Sequence, residues 1–150
     1  MRSFATLAEL EPMVGEEIAV SDWIEVTQER IQRFADATGD HQWIHLDPER
    51  AKAGPFGTTI AHGFFTLSLL PEMSAHAFEV RDTRMGVNYG LNKVRFPAPV
   101  PSGSRLRGRF KLLSVEPLEG GAQITMEVKM EREGSEKPVC VAESVSRRYT

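Results

Sequence analysis

What this 150-residue chain has little of narrows its nature before any motif is considered. It holds one cysteine, Cys140, in an apolar PVCVA context. No internal disulfide can staple it, nothing implies an oxidising compartment, and a buried, inert thiol is the expectation. No apolar run approaches the ~18 residues that would cross a bilayer as a helix. The opening MRSFATLAELEPM also lacks the apolar centre of a secretory signal. A cytoplasmic protein with no membrane partner is expected. Charge of one sign is not in excess: 18 basic residues against 21 acidic ones leave −3, so a surface that tracks nucleic-acid phosphates is not expected. The glycines of GPFGTT are not followed by GK[ST], and GxSxG is absent. A P-loop and a nucleophile elbow are both excluded as far as pattern allows.

What is present is enough for one domain spanning residues 1–150, since a chain of this length buries roughly 70% of its unfolded surface. Residues 3–11 can form a short helix, ended by Pro12 and Gly15, with strands around Ile18 and from Trp23 to Val26. Thr27 offers a helix N-cap. Ile31, Phe34, Ala35 and Thr38 follow at one-sided helical spacing, and Gly39 supplies the stop. Asp47, Pro48 and Glu49 open a short helix through Ala53, and GPFGTT is a loop. From Ala61 to Phe78 the pattern predicts a single helix apolar on nearly all sides, hence buried, with a kink at Pro71.

Beyond Arg84 the period changes from 3.6 to 2. Met85, Val87, Tyr89 and Leu91 form an apolar alternation that resumes at Val94 one position out of step, which predicts a bulge near Asn92 and Lys93. Leu106, Phe110 and Leu112 mark a second strand. Ile124, Met126, Val128 and Met130 mark a third, and Val139, Val141 and Val145 a fourth, joined by Pro- and Gly-bearing turns. A buried helix followed by antiparallel strands is an α+β design in which the sheet wraps the helix.

The chemistry concentrates between Phe34 and Leu70. Asp40 and His45 lie on a loop beyond the first helix, where one can take a proton and the other deliver one. Gly63 falls at the start of the apolar helix. A free backbone N–H there, with no side chain blocking approach, can hold a developing oxyanion. Rival readings are weaker. His41 and His45 have the i, i+4 spacing of a helical zinc pair, but that helix stops at Gly39 and no glutamate follows His41, so no metal is expected. Arg105, Arg107, Arg109 and Lys111 alternate along one strand, as either a solvated sheet face or a phosphate site. His76 reads as structural.

The run ATGDHQWIHLDPERA, then GPFGTTIAHGF, and later YGLNKVRFPAPVPSGSRL, resembles the MaoC-like, or R-specific, enoyl-CoA hydratase family of hotdog-fold proteins, in particular its nodulation-protein-N-like branch. The resemblance implies an antiparallel sheet wrapped around a long central helix, a homodimer, and reversible hydration of a trans-2-enoyl thioester to the (R)-3-hydroxyacyl product. It implies Asp40 and His45 as the catalytic dyad and the Gly63 N–H as the oxyanion donor, with acyl-CoA as substrate and no cofactor. The family's usual GDxNPxH is altered, because Gln42 and Trp43 stand in the Asn and Pro places. Phe64, Phe65 and Leu67, with Trp43 and Phe56, are candidates to line an acyl tunnel, unless they are simply core, and Gln42 and His62 are also expected to contact substrate. Arg95 and Pro97, in RFPAPVP, are expected along the CoA. A hotdog thioesterase using a helix carboxylate such as Glu72 is one alternative, and a non-catalytic acyl-thioester subunit is the other.

Overall fold

In a computed structural model of residues 1–150, the chain begins with β1 (Arg2–Phe4), a 3-10 helix (Leu7–Met13), β2 (Glu17–Val20), β3 (Ile24–Glu25) and α1 (Gln28–Thr38). Next come α2 (Trp43–Leu46), α3 (Pro48–Lys52), α4 (Gly63–Ser68) and α5 (Leu70–Ala77). The last strands are β4 (Phe78–Val80), β5 (Met85–Arg95), β6 (Arg105–Leu118), β7 (Gly121–Arg132) and β8 (Cys140–Tyr149).

The alternating segments build one antiparallel sheet in the order β2-β6-β7-β8-β5, with β3 also on β6. On β7, Ile124, Met126, Val128 and Met130 point into the core, while Glu127, Lys129 and Glu131 face out. Leu118 pairs with Gly121, so Glu119 and Gly120 alone make the β6–β7 turn, and Gly120 takes the φ of +76° such a turn demands. The strands thus run further into EPLEGGA than the turn residues suggest.

Phe65, Leu69, Met73 and Ala77 recur every four residues and form the buried stripe of α4 and α5. Each large side chain so buried contributes about 1.5–3 kcal/mol. The sheet comes close enough that a Cβ on Gly108 of β6 would lie 3.1 Å from the Met73 sulfur. Cys140 is fully enclosed in this core, and burial pushes its thiol up to about 11.

Three expectations are corrected. The central helix is two segments, Gly63–Ser68 and Leu70–Ala77, interrupted at Leu69. Pro71 has no N–H to give the Leu67 carbonyl, and Leu69 tightens instead onto the Thr66 carbonyl at 3.2 Å. The N-terminal helix, a 3-10 helix, contains Pro12 rather than ending there, and it starts later than expected, because Arg2–Phe4 pairs in parallel with Phe78–Val80; of those three, Phe78 was expected to end the central helix. Finally, Met85, Val87, Tyr89 and Leu91 are 42–57% exposed rather than core. β5 is the sheet edge, and a groove of about 840 Å³ separates it from α5. Its register shifts between Leu91 and Lys93, where the bulge was expected, and also between Asn88 and Gly90.

Candidate active site

Local capping chemistry places the first part of the site. Thr27 Oγ1 accepts the Arg30 N–H at 3.2 Å and starts α1; Gly39, at φ +85°, stops it and turns the chain into the loop bearing Asp40. The Asp40 side chain is exposed, and its Oδ1 accepts the Gln42 N–H at 3.3 Å. His45 follows on the single turn of α2 rather than on a loop, and is 6% exposed.

His45 Nδ1 lies 2.7 Å from the Ile60 carbonyl oxygen. A carbonyl only accepts, so Nδ1 carries the proton and Nε2 keeps its lone pair. Burial, and secondarily the neighbouring His62, lower the His45 pKa below 6.5, against upward pulls from the Ile60 carbonyl and Asp40. The ring is therefore neutral near pH 7. A strap fixes the turn from behind: Gln28 donates its amide N–H to the His45 carbonyl at 2.7 Å, and Thr59 donates its hydroxyl to the same amide's oxygen at 2.7 Å.

The head of α4 closes the site. His62 is the residue before the helix, and no side chain caps it. Its ring stacks on His45 at 3.8 Å between centroids, and Nε2 meets the Asp40 backbone carbonyl at 3.0 Å. Gly63 follows, and a Cβ there would lie 3.0 Å from the Phe96 ring. His45, Phe56, Gly63, Thr66, Phe96 and Pro97 line one cavity of about 370 Å³. Ligand-type atoms of Asp40, His45 and His62 lie within 4.8 Å of one another. His45 Nδ1 and His62 Nε2 are both committed to carbonyls, and His62 Nδ1 is enclosed, so this trio meets an ion poorly. His41 turns away to Asp36, at 3.1 Å.

The structure thus brings Asp40, His45, Gly63, Phe56 and Pro97 to one place. Other expected residues fall elsewhere. Trp43 lies beneath the Arg50 guanidinium at 4.3 Å and against Gly54, outside the cavity lining. Gln42 contributes its backbone N–H to Asp40. Phe64 is 71% exposed and meets Phe96 edge-on, and Arg95 is exposed with Nη1 on the Val94 carbonyl. His62 is 2% exposed and sits behind His45 rather than on the cavity wall. Gln28, Thr59 and Ile60 were missed. Ile60 acts through its backbone and leaves no trace in side-chain pattern, while Gln28 looks like any first-turn helix residue.

An antiparallel sheet around a helix pair, with a cleft at the helix start, defines a hotdog-fold protein. Similarity to known proteins agrees on the fold. The chain matches the family described as MaoC like domain over residues 9–135, and it belongs to that family. It is 57% identical to 3-hydroxyacyl-thioester dehydratase Z of Mycobacterium tuberculosis over 98% of both chains. It is 48% identical to Nodulation protein N of Rhizobium leguminosarum, over 91% of this chain and 87% of that one. Among solved structures, the R-hydratase PhaJ1 of Pseudomonas aeruginosa shares the fold with a TM-score of 0.73 at 24% identity, covering 95% of this chain and 84% of that one.

Proposed function

We propose that this protein catalyses the reversible, (R)-specific hydration of trans-2-enoyl-CoA to (R)-3-hydroxyacyl-CoA. The observation that carries the reading is the bare Nε2 of a neutral His45 beside Asp40, in one cavity with the Gly63 N–H. The similarity to a 3-hydroxyacyl-thioester dehydratase over nearly the whole chain supports it.

Conjugation to the thioester makes C3 electrophilic once the carbonyl oxygen gains negative charge. The Gly63 N–H stabilises that oxygen. Asp40 and His45 hold a water over C3; one takes its proton as the C3–O bond forms, and a proton passes to C2, so that water is added across the double bond with no redox change. The larger groove starts at Leu67, one helical turn beyond Gly63, and is suited to the acyl tail. Exposed Arg95 and the rim from Phe96 to Val100 offer a path for CoA. A second copy pairing along the β5 edge would cover Met85, Val87 and Tyr89, giving the homodimer of this proposal. A cytoplasmic location belongs to the same proposal; no helix is long and apolar enough to cross a membrane.

Glu72, the carboxylate a thioesterase would use, is held by Arg30 at 2.7 Å and is not on the cavity wall, which favours hydration over cleavage. The test is a spectrophotometric assay across enoyl-CoA chain lengths with chiral analysis of the product. Loss of enoyl absorbance without thiol release, giving the (R) alcohol, is expected. Thiol release would make it a thioesterase, and no turnover a binding subunit.

A further inference from the structure

His62 is used in no step of that reaction, yet it touches all three of its parts. Its Nε2 must carry the proton, because its partner 3.0 Å away, the Asp40 backbone carbonyl, only accepts. Its face lies 3.8 Å from the His45 ring at an interplanar angle of 26°, and Phe34 also packs on it, tilted, at 4.9 Å. Its own carbonyl accepts the Thr66 N–H at 3.1 Å and so opens the helix whose first residue is Gly63. The remaining ring nitrogen, Nδ1, is enclosed without any partner. The polar anchorage of the ring is therefore the single Nε2 bond to the Asp40 main chain.

We propose that His62 is a positioning residue: an enclosed imidazole, with a proton on Nε2, that ties the Asp40 main chain to the His45 ring and thereby sets the separation of the two proton-transfer groups. This deepens the hydratase reading and rests on it for the kinetic consequence. The loop after Gly39 has few other anchors. Asp40 Oδ1 reaches only the neighbouring Gln42 N–H, and His41 and Asp36 pair with each other at the surface. Asp40, from the end of α1, and His62, from the head of α4, are the titratable side chains facing His45. Its other neighbours are the Ile60 carbonyl and the apolar segment Phe96 to Val100.

The test compares His62→Leu, which keeps bulk and loses the donor, with His62→Gln, whose amide N–H reaches the same place. For H62L, kcat for hydration falls about 10²-fold while KM stays within about threefold, the pattern of displaced reacting groups rather than lost binding. H62Q recovers about tenfold or more of that loss. With the imidazole gone, one of the two influences that lower His45 is lost, and the acid limb of the H62L pH profile moves up toward the ordinary histidine value. Amide hydrogen exchange of the loop at residues 40–42 gives a readout that needs no turnover. In the unaltered protein and in H62Q, where the Asp40 carbonyl keeps its donor, the loop amides stay slow to exchange; in H62L they exchange about tenfold or more faster. If H62L does not fold, H62F, which keeps an aromatic stack without the donor, is judged by the same criteria. A kcat within twofold of the unaltered protein overturns the proposal. A loss confined to KM makes His62 a binding residue, and H62Q no better than H62L makes it packing alone. Unaltered exchange of the amides of residues 40–42 in H62L would overturn the proposal even for a protein that hydrates nothing, so its failure is distinct from that of the hydratase reading.

Discussion

The outer face of β6 and the cleft beneath α4 both gather ionisable groups, and they treat them in opposite ways. On β6, Arg105 pairs with Glu133, Arg107 with Glu131, and Arg109 with both Glu131 and Glu17, at 2.6–3.1 Å. Trp23 lies under Arg107 at 4.4 Å. Of the two readings the sequence left for these arginines, the paired face of a sheet is the one that forms. In the cleft, His62 Nδ1 and Thr66 Oγ1 are enclosed with no partner. Each such atom costs about 1–3 kcal/mol. Paired arginines hold strands together, whereas spare hydrogen-bonding capacity in an enclosed cleft costs stability and leaves groups free to act on something else.

The largest effect that would break this contrast is expected at the proposed dyad. Asp40→Asn and His45→Gln each lower the hydration rate ~10²-fold or more, with the double variant little worse than either, as for groups that share one proton transfer. Steady-state kinetics on folded protein checks this, and near-normal rates would sink the assignment. Next comes Gly63→Ala. The new methyl meets Phe96 at 3.0 Å and narrows the cavity, so kcat/KM falls about tenfold; adding Phe96→Ala in the same chain returns part of it.

A smaller change is expected with pH. His45 is held below 6.5, chiefly by burial, so the neutral ring that the proposed reaction uses persists as pH drops through the ordinary histidine range, and the acid limb of kcat/KM lies below 6.5. The same depression adds stability above the unfolded value, lost as pH falls through the folded one. A limb above 6.5 would contradict this. The smallest effect is expected on the sheet face. Glu131→Gln removes an acid whose two arginine partners are about one-third exposed, costing about 1 kcal/mol or less and lowering Tm by roughly 2–4 °C with hydration unchanged. Calorimetry beside the rate assay separates the two regions.

How much of this was legible depends on whether the cause is local. Thr27 and Gly39 fix both ends of α1 through their own chemistry, so Asp40 could be placed just past a helix from sequence alone. The slip in the β5 pattern marked the bulge after Leu91 because a strand records its faces in alternation. The parallel β1–β4 pairing joins residues more than seventy positions apart and has no local sign. Apolar alternation on β5 could not reveal that no part of this chain covers it. Trp43 and His62 were read as substrate-facing from their neighbours in sequence. Their places depend on Arg50, Gly54 and the Asp40 carbonyl, which only the folded chain brings near.

The Gln28 strap has an evolutionary consequence. One amide serves two masters, receiving the Thr59 hydroxyl and supporting the His45 carbonyl. A lineage that replaces Gln28 leaves the threonine without its acceptor, and one that replaces Thr59 frees the amide to turn. Selection on a histidine that neither side chain performs chemistry with thus binds two distant positions into one inherited unit, expected to change together or not at all.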